Sequence, residues 1–126
     1  MNEKKYYICH HCGNMVDLIC DGGAPVRCCG QNMELLVPGS QDASHEKHVP
    51  YVDISHDKIV VQVGEVAHPM SVEHHIAWIT LVTDKGEQRK LLVPDGSPCA
   101  VFALADERPL AVYAYCNLHG LWKKEL

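Results

Sequence analysis

The cysteine spacing near the start of the chain constrains the fold more than any other feature of the sequence. Cys9-x-x-Cys12 is followed, after fifteen intervening residues, by the adjacent pair Cys28-Cys29, and a glycine directly follows each pair. Two residues between thiolates on a tight turn let both sulfurs face one ion, and glycine suits such a turn. Four thiolates in tetrahedral geometry select zinc or iron. The pattern therefore predicts a four-cysteine metal site and leaves a structural zinc ribbon and an iron centre both open.

The total content of metal-binding residue types supports a metalloprotein. Seven cysteines and nine histidines occur among 126 residues. In a reducing compartment clustered cysteines more often bind metal than form disulfides, and the odd count leaves one thiol unpaired in any all-disulfide scheme. Cys20 lies between the two pairs and is expected to be a free thiol, since four ligands are complete without it. His10 and His11 are expected to be exposed turn residues.

Charge and hydropathy exclude several classes of partner. The formal net charge of −5 argues against a nucleic acid or an anionic membrane surface. The N-terminal stretch has no apolar segment typical of a signal peptide, and no apolar run is long enough to cross a bilayer. We therefore expect a soluble, cytoplasmic protein that contacts neither nucleic acid nor membrane.

The chain changes character at a Pro-Gly-Ser linker that begins at residue 38. Residues 1–37 are turn-rich and too few to bury a core unaided, so a structural metal is the expected remedy. Residues 38–126 contain short β-branched and aromatic runs between turns, and no helix is predicted. We therefore predict an all-β chain, with a small four-cysteine metal domain (1–37) and an immunoglobulin-like β-sandwich (38–126). The strands are predicted over 6–8, 15–19, 51–54, 58–63, 76–82, 89–93, 99–104 and 111–115.

A second group of candidate ligands lies at predicted strand ends and loops, where a β-sandwich presents functional residues. Each residue taken singly has an ordinary structural explanation. Together they offer four imidazoles and one thiolate, which is too many for a closed tetrahedral zinc site but suits a five-coordinate iron with one open position. The group comprises His48, His68, His74, Cys116 and His119.

These motifs resemble those of desulfoferrodoxin, the two-iron class of superoxide reductase, over nearly the whole chain. The paired cysteines are similar to the family's rubredoxin-like centre. The catalytic-centre motifs are matched by Glu46-Lys47-His48-Val49-Pro50, by His68-Pro69-Met70 with His74, and by Cys116-Asn117-Leu118-His119-Gly120.

The resemblance implies an enzyme that reduces superoxide to hydrogen peroxide with electrons from an external donor. It implies two mononuclear non-haem irons per chain, one held by the four cysteines. The four histidines would be the equatorial ligands of the second iron, and Cys116 its axial ligand. Lys47 would attract the anion, and Glu46 would occupy the sixth position in the resting ferric state. A desulforedoxin-like first domain, a homodimer and a rubredoxin-type electron donor are also implied.

Some residues depart from the family pattern, and other functions compete. Cys20 and Cys99 are extra thiols, and His75 directly follows His74. Because adjacent strand residues point to opposite faces, only one of the two histidines is expected to face the metal, and His74 is the expected ligand. The competing functions are a pure electron carrier, a zinc-containing binding module without catalysis, and superoxide dismutation.

Overall fold

The structure is a computed structural model that describes residues 3–126, and it is built almost entirely of antiparallel strands. The helix α1 (His45–His48) lies between the fifth and sixth strands. The strands are β1 (Tyr6–Ile8), β2 (Met15–Asp17), β3 (Arg27–Cys28), β4 (Gln31–Asn32), β5 (Glu34–Leu35), β6 (Pro50–Ile54), β7 (Lys58–Val63), β8 (Ile76–Thr83), β9 (Gly86–Leu91), β10 (Cys99–Ala103), β11 (Pro109–Cys116) and β12 (Gly120–Glu125).

The chain divides into two compact units, the first ending at Val37 and the second beginning at Pro38. The first unit contains a three-stranded sheet in the order β2-β1-β5 and the β3–β4 hairpin. Its buried apolar side chains are those of Tyr6, Cys9 and Met33. So small a core cannot offset the conformational entropy of the chain, and a bound metal is the physical remedy.

The second unit is a β-sandwich of two antiparallel sheets, with strand orders β10-β7-β6 and β12-β11-β8-β9. Strand β7 shows the alternation that such a sheet requires, because Ile59, Val61 and Val63 are fully buried and lie two residues apart. They pack with apolar residues of β8, β10 and β11, and the cluster extends to Cys116 at the end of β11. The core therefore reaches one of the candidate ligands directly. The expected all-β architecture with a sandwich is confirmed.

Several local features differ from the expectations, and the short strands β3, β4 and β5 were not predicted. The turn α1 was not predicted, because four residues show no helical periodicity; Val49, extended because Pro50 follows it, ends the turn. Strand β12 was also missed, since its charged half gives little strand signal and it is defined by pairing with β11. Strand β9 begins at Gly86 rather than at residue 89, because the turn before it is tighter than expected. Among the described residues, no helix has the length and apolarity needed to cross a membrane.

Candidate metal centres

The first candidate centre is formed by the four paired cysteines. The sulfurs of Cys9, Cys12, Cys28 and Cys29 all lie within 4.8 Å of one another. The Sγ atoms of Cys12 and Cys28 are 3.6 Å apart. A left-handed residue follows each pair, with Gly13 at φ 82° and the glycine after Cys29 at φ 75°, and this conformation favours glycine. The local backbone therefore folds each pair around a common point.

The thiols of this group cannot all ionise without a cation among them. The Cys12 backbone N–H lowers the pKa of Cys9 to about 6, whereas the Cys12 and Cys28 side chains raise the pKa of Cys29 to about 12. A positive ion removes this conflict, because metal binding deprotonates thiol ligands. None of the seven cysteines forms a disulfide. The donor set thus fits a mononuclear metal of the tetrahedral thiolate class.

The neighbouring thiol and imidazoles of the first unit lie outside this group. Cys20 is exposed, as is His11. The ring of His10 is directed to a carboxylate, with Nε2 2.8 Å from Glu34 Oε2. None of these three side chains competes with the four thiols for an ion.

The second candidate centre brings together residues from three separate parts of the sandwich unit. His48 ends α1, His68 and His74 lie on the connection between β7 and β8, and Cys116 ends β11. One ligand atom from each of these four lies within 4.8 Å of the others. His119 completes the group, because its Nδ1 is 3.1 Å from His48 Nε2 and 3.9 Å from Cys116 Sγ.

Hydrogen bonds to backbone carbonyls set the tautomers of two of these rings. His48 Nδ1 lies 2.6 Å from Ser44 O, and His68 Nδ1 lies 2.7 Å from Pro69 O. A carbonyl oxygen only accepts, so each Nδ1 carries a proton and each neutral ring has its lone pair on Nε2. The two Nε2 atoms are nevertheless 3.1 Å apart. Two lone pairs at this distance repel unless a cation lies between them.

The remaining histidine of the β7–β8 connection supports the same conclusion. His74 Nε2 is buried and has no hydrogen-bond partner. A buried polar atom without a partner is costly, and such atoms commonly mark a missing ion or ligand. Metal–nitrogen bonds of about 2.1 Å at right angles place adjacent ligand nitrogens about 3 Å apart, close to the separations seen here. The residues therefore fit a metal bound by several imidazoles.

Burial keeps the imidazoles of His48, His68 and His74 in the neutral form that binds metals. Burial lowers the pKa of His68 to about 4, although Pro69 O opposes the shift. Burial also lowers the pKa of His48 and His74, and the positive charge of Lys47 adds to the lowering in both. The charge of Lys47 therefore acts on the centre itself.

The sulfur of Cys116 receives backbone hydrogen bonds from the residues that follow it. Burial raises the pKa of Cys116, and the N–H groups of Leu118 and His119 oppose that rise. The His119 N–H donates to Cys116 Sγ over 3.4 Å. Such bonds stabilise the thiolate and reduce the electron density that it can donate to a metal.

Asn117 joins the two loops that carry these ligands. Its backbone N–H donates to His75 O, its Oδ1 accepts from His75 N, and its Nδ2 donates to Glu73 O. The loop before β8 is thereby held against the end of β11, with His74 in the ligand group. The ring of His75 lies outside the group, near the carbonyl oxygens of Ser71 and Val72.

Glu46 is not part of the second centre in this structure. It lines a separate cavity of about 330 Å³, beside His45, Tyr51 and Lys124. The structure therefore brings together the four histidines and Cys116, places the charge of Lys47 near them, and does not include Glu46 in the ligand group.

Two further residues support the second centre, although no sequence motif points to them. The Trp122 ring packs against the His48 ring with centroids 4.9 Å apart and planes tilted by 32°, and its Nε1–H donates to His119 O over 3.0 Å. Gly64 packs against the backbone of α1, where an added Cβ would lie 2.5 Å from Glu46 O. Neither residue carries ligand chemistry, and only the three-dimensional contacts reveal its role.

The fold and the two centres together define a class of protein: a β-sandwich metalloprotein with one tetrathiolate site and one site of four imidazoles and a thiolate. These two sets of ligand residues are consistent with two mononuclear iron centres. The family model described as desulfoferrodoxin matches residues 40–125, and the chain belongs to that family.

Individual relatives match over nearly the full length. The chain is 43% identical over 124 residues to desulfoferrodoxin of Nitratidesulfovibrio vulgaris, covering 98% of each protein. It is 45% identical over 126 residues to desulfoferrodoxin of Syntrophotalea carbinolica, covering 99% of each. Among solved structures, it is similar to the superoxide reductase from Treponema pallidum, with a TM-score of 0.83 and 38% identity over 98% of this chain and 100% of that one.

Proposed function

We propose that this protein is a superoxide reductase, which reduces superoxide to hydrogen peroxide by one electron at the second centre. The observation that carries the proposal is the convergence of the lone pairs of His48 and His68, 3.1 Å apart, beside a buried thiol. Membership of the desulfoferrodoxin family and similarity to a solved superoxide reductase support it.

The residues that would hold the iron are His48, His68, His74 and His119 through ring nitrogens and Cys116 through its sulfur. Iron bound there supplies the single electron that the reaction needs, which zinc cannot do because it has no redox chemistry. The carbonyl bonds from Ser44 and Pro69 hold the rings of His48 and His68 in the tautomer that presents Nε2. The backbone N–H groups after Cys116 reduce the electron density that its sulfur can donate to a metal.

Lys47 is the proposed residue that attracts the substrate. Superoxide is a small anion, and the protein carries a net charge of −5. The side chain of Lys47 is exposed, and its charge lowers the pKa of His48 and His74 after the larger effect of burial. A cation at the open side of the centre raises the local concentration of an anion, and salt screens the effect.

We propose that Glu46 assists product release and covers the open position in the resting oxidised state. Its neighbour in sequence, Lys47, already acts on the centre, and Glu46 lines a cavity together with His45 and Tyr51.

The two units have separate proposed roles. Residues 1–37 form a desulforedoxin-like domain whose four-cysteine iron carries electrons, and residues 38–126 form the catalytic domain. We further propose a small rubredoxin-type protein as the electron donor, a homodimer as the assembly and the cytoplasm as the location. The exposed position of Cys12 and Cys29 in the first centre supports electron exchange with an external protein.

The test is a metal analysis combined with a superoxide reaction. Iron and zinc per chain are measured on protein from iron-replete cells, with visible spectra before and after mild oxidation. The reduced protein is then exposed to pulse-generated superoxide. Two irons and fast oxidation of the second centre support the reductase. A reaction only at the first centre indicates an electron carrier, and a colourless zinc protein that cannot be reconstituted with iron indicates a binding module.

A further inference from the structure

One residue outside the ligand set contacts both halves of the four-cysteine centre. The carbonyl oxygen of Asn14 accepts from the Cys9 backbone N–H over 2.8 Å. Its own backbone N–H donates to Cys12 Sγ over 3.4 Å. Its side-chain Nδ2 donates to Cys28 Sγ over 3.6 Å. Asn14 therefore connects the first cysteine pair to the second.

The contact with Cys28 depends on the side chain, whereas the other two do not. Any residue except proline at this position can donate its backbone N–H to Cys12 Sγ. Only a side chain with a donor of suitable length can also reach Cys28 Sγ across the centre. The side chain of Asn14 thus adds a donor to the second cysteine pair.

A donor aimed at a thiolate ligand favours the more negative oxidation state of a metal centre. In a four-thiolate iron site the reduced state carries one more negative charge than the oxidised state. A hydrogen bond to sulfur therefore stabilises the reduced state more and raises the reduction potential. We propose that Asn14 is a positioning residue that sets the potential of the four-cysteine centre through its Nδ2–H bond to Cys28. This inference depends on the proposed iron content of that centre.

The expected consequence concerns a single electron transfer. One electron from an external one-electron donor enters the oxidised centre, and no bond is formed or broken. The Asn14 bond makes that uptake more favourable and makes the centre a weaker reductant toward its own acceptor. Residue 14 would then determine how readily the first centre accepts an electron and passes it on.

The experiment compares three variants of the full-length, iron-loaded protein. Asn14→Ala removes the donor, and Asn14→Asp keeps the shape of the side chain but replaces the donor with an acceptor. Asn32→Asp is the control, because Asn32 lies on the neighbouring β3–β4 hairpin and bonds Arg27 rather than a sulfur. Metal content, the midpoint potential of the first centre by mediated redox titration, and the sulfur-to-iron absorption bands are measured for each protein.

The proposal predicts a lower midpoint potential in both Asn14 variants and a shift of the absorption bands of Asn14→Ala to longer wavelength. The drop should persist at high salt because it comes from a direct contact, while any effect of Asn32→Asp should shrink. An unchanged potential in an iron-loaded Asn14→Ala protein would overturn the proposal. If Asn14→Ala loses iron, the midpoint potential of iron-loaded Asn14→Asp tests the proposal, and an unchanged value there would overturn it. Loss of iron in both variants would also overturn the proposal, because it would assign Asn14 a purely structural role. Absence of iron from the first centre of the unmodified protein would instead refute the proposed electron-carrying function.

Discussion

His48 and His68 face each other through nitrogens that both carry lone pairs. Their Nε2 atoms are 3.1 Å apart, while each Nδ1 donates to a backbone carbonyl. The arrangement is unfavourable for the protein alone and favourable with a cation between the rings. The fold therefore contains a preorganised metal site. Burial keeps the rings neutral, and the two hydrogen bonds to backbone carbonyl oxygens direct each Nε2 toward the centre.

Burial of His68 makes the metal-free protein sensitive to acid. Its pKa is about 4 in the folded chain against 6.5 for an ordinary histidine. Below about pH 6.5 the unfolded chain binds a proton that the folded chain does not, so stability falls as the pH falls and levels off below about pH 4. The full difference corresponds to about 3 kcal/mol. Urea unfolding of metal-free protein across this range measures it.

The control for this titration uses a histidine substitution elsewhere. His68→Gln should reduce the pH dependence between pH 6.5 and 4, and the remainder comes from His48 and His74, whose pKa values burial also lowers. His56→Gln, at an exposed position, should leave the pH dependence in place. Equal slopes in the His68→Gln protein and the unmodified protein would assign the acid sensitivity to another group.

Replacement of the axial thiol should abolish catalysis. Cys116→Ser removes the buried sulfur that accepts the His119 N–H, and with it the thiolate-to-iron absorption of the second centre. Cys99→Ser is the matched control, because Cys99 is a partly buried thiol outside both ligand groups. Retained superoxide reduction in Cys116→Ser would exclude the proposed ligand set.

Removal of the positive charge beside the second centre should slow the encounter with superoxide. Lys47→Ala is expected to lower the second-order rate roughly tenfold at low salt and to flatten its salt dependence. Lys47→Arg keeps the charge and should retain most of the rate, and Lys90→Ala tests a lysine on the outer strand β9. The steering role would be refuted by a Lys47→Ala rate equal to that of the unmodified protein at low ionic strength.

The close packing of Gly64 against α1 should be intolerant of any side chain. A Cβ at this position would lie 2.5 Å from Glu46 O and 3.0 Å from His48 N, so Gly64→Ala must displace the turn that carries these residues. We expect a loss of about 1–3 kcal/mol in the free energy of unfolding, together with weaker metal retention at the second centre.

Gly22→Ala provides the comparison for this substitution. An added Cβ there would have no heavy atom within 4 Å, and the φ of Gly22 lies outside the left-handed region. Chemical denaturation and metal content of both variants test the difference. Equal stability of the two alanine variants would show that α1 moves without cost.

The sequence predicted the parts of this protein that have a local signature. Strand β7 alternates cleanly and was predicted with its observed bounds, and the Cys-x-x-Cys and Cys-Cys pairs predicted a four-thiol group. The turn α1 and strand β12 left no such signature, because one depends on a single hydrogen-bonded turn and the other on pairing with β11.

The geometry of the second centre could not be read from spacing. The distance in sequence between His48 and His119 is 71 residues, yet their ring nitrogens lie 3.1 Å apart. The motifs could nominate these ligands through family resemblance, but not the carbonyl bonds that choose their tautomers.

The most direct test of the central claim measures the products of superoxide consumption. The reduced, iron-loaded protein reacts with superoxide in a solution free of dissolved oxygen, and hydrogen peroxide, oxygen and oxidised iron are counted per superoxide consumed. A reductase yields one hydrogen peroxide for each superoxide consumed, oxidises one iron at the second centre, and releases no oxygen. Release of oxygen, with about half as much peroxide and no lasting oxidation of the second centre, would show dismutation and contradict the proposed function.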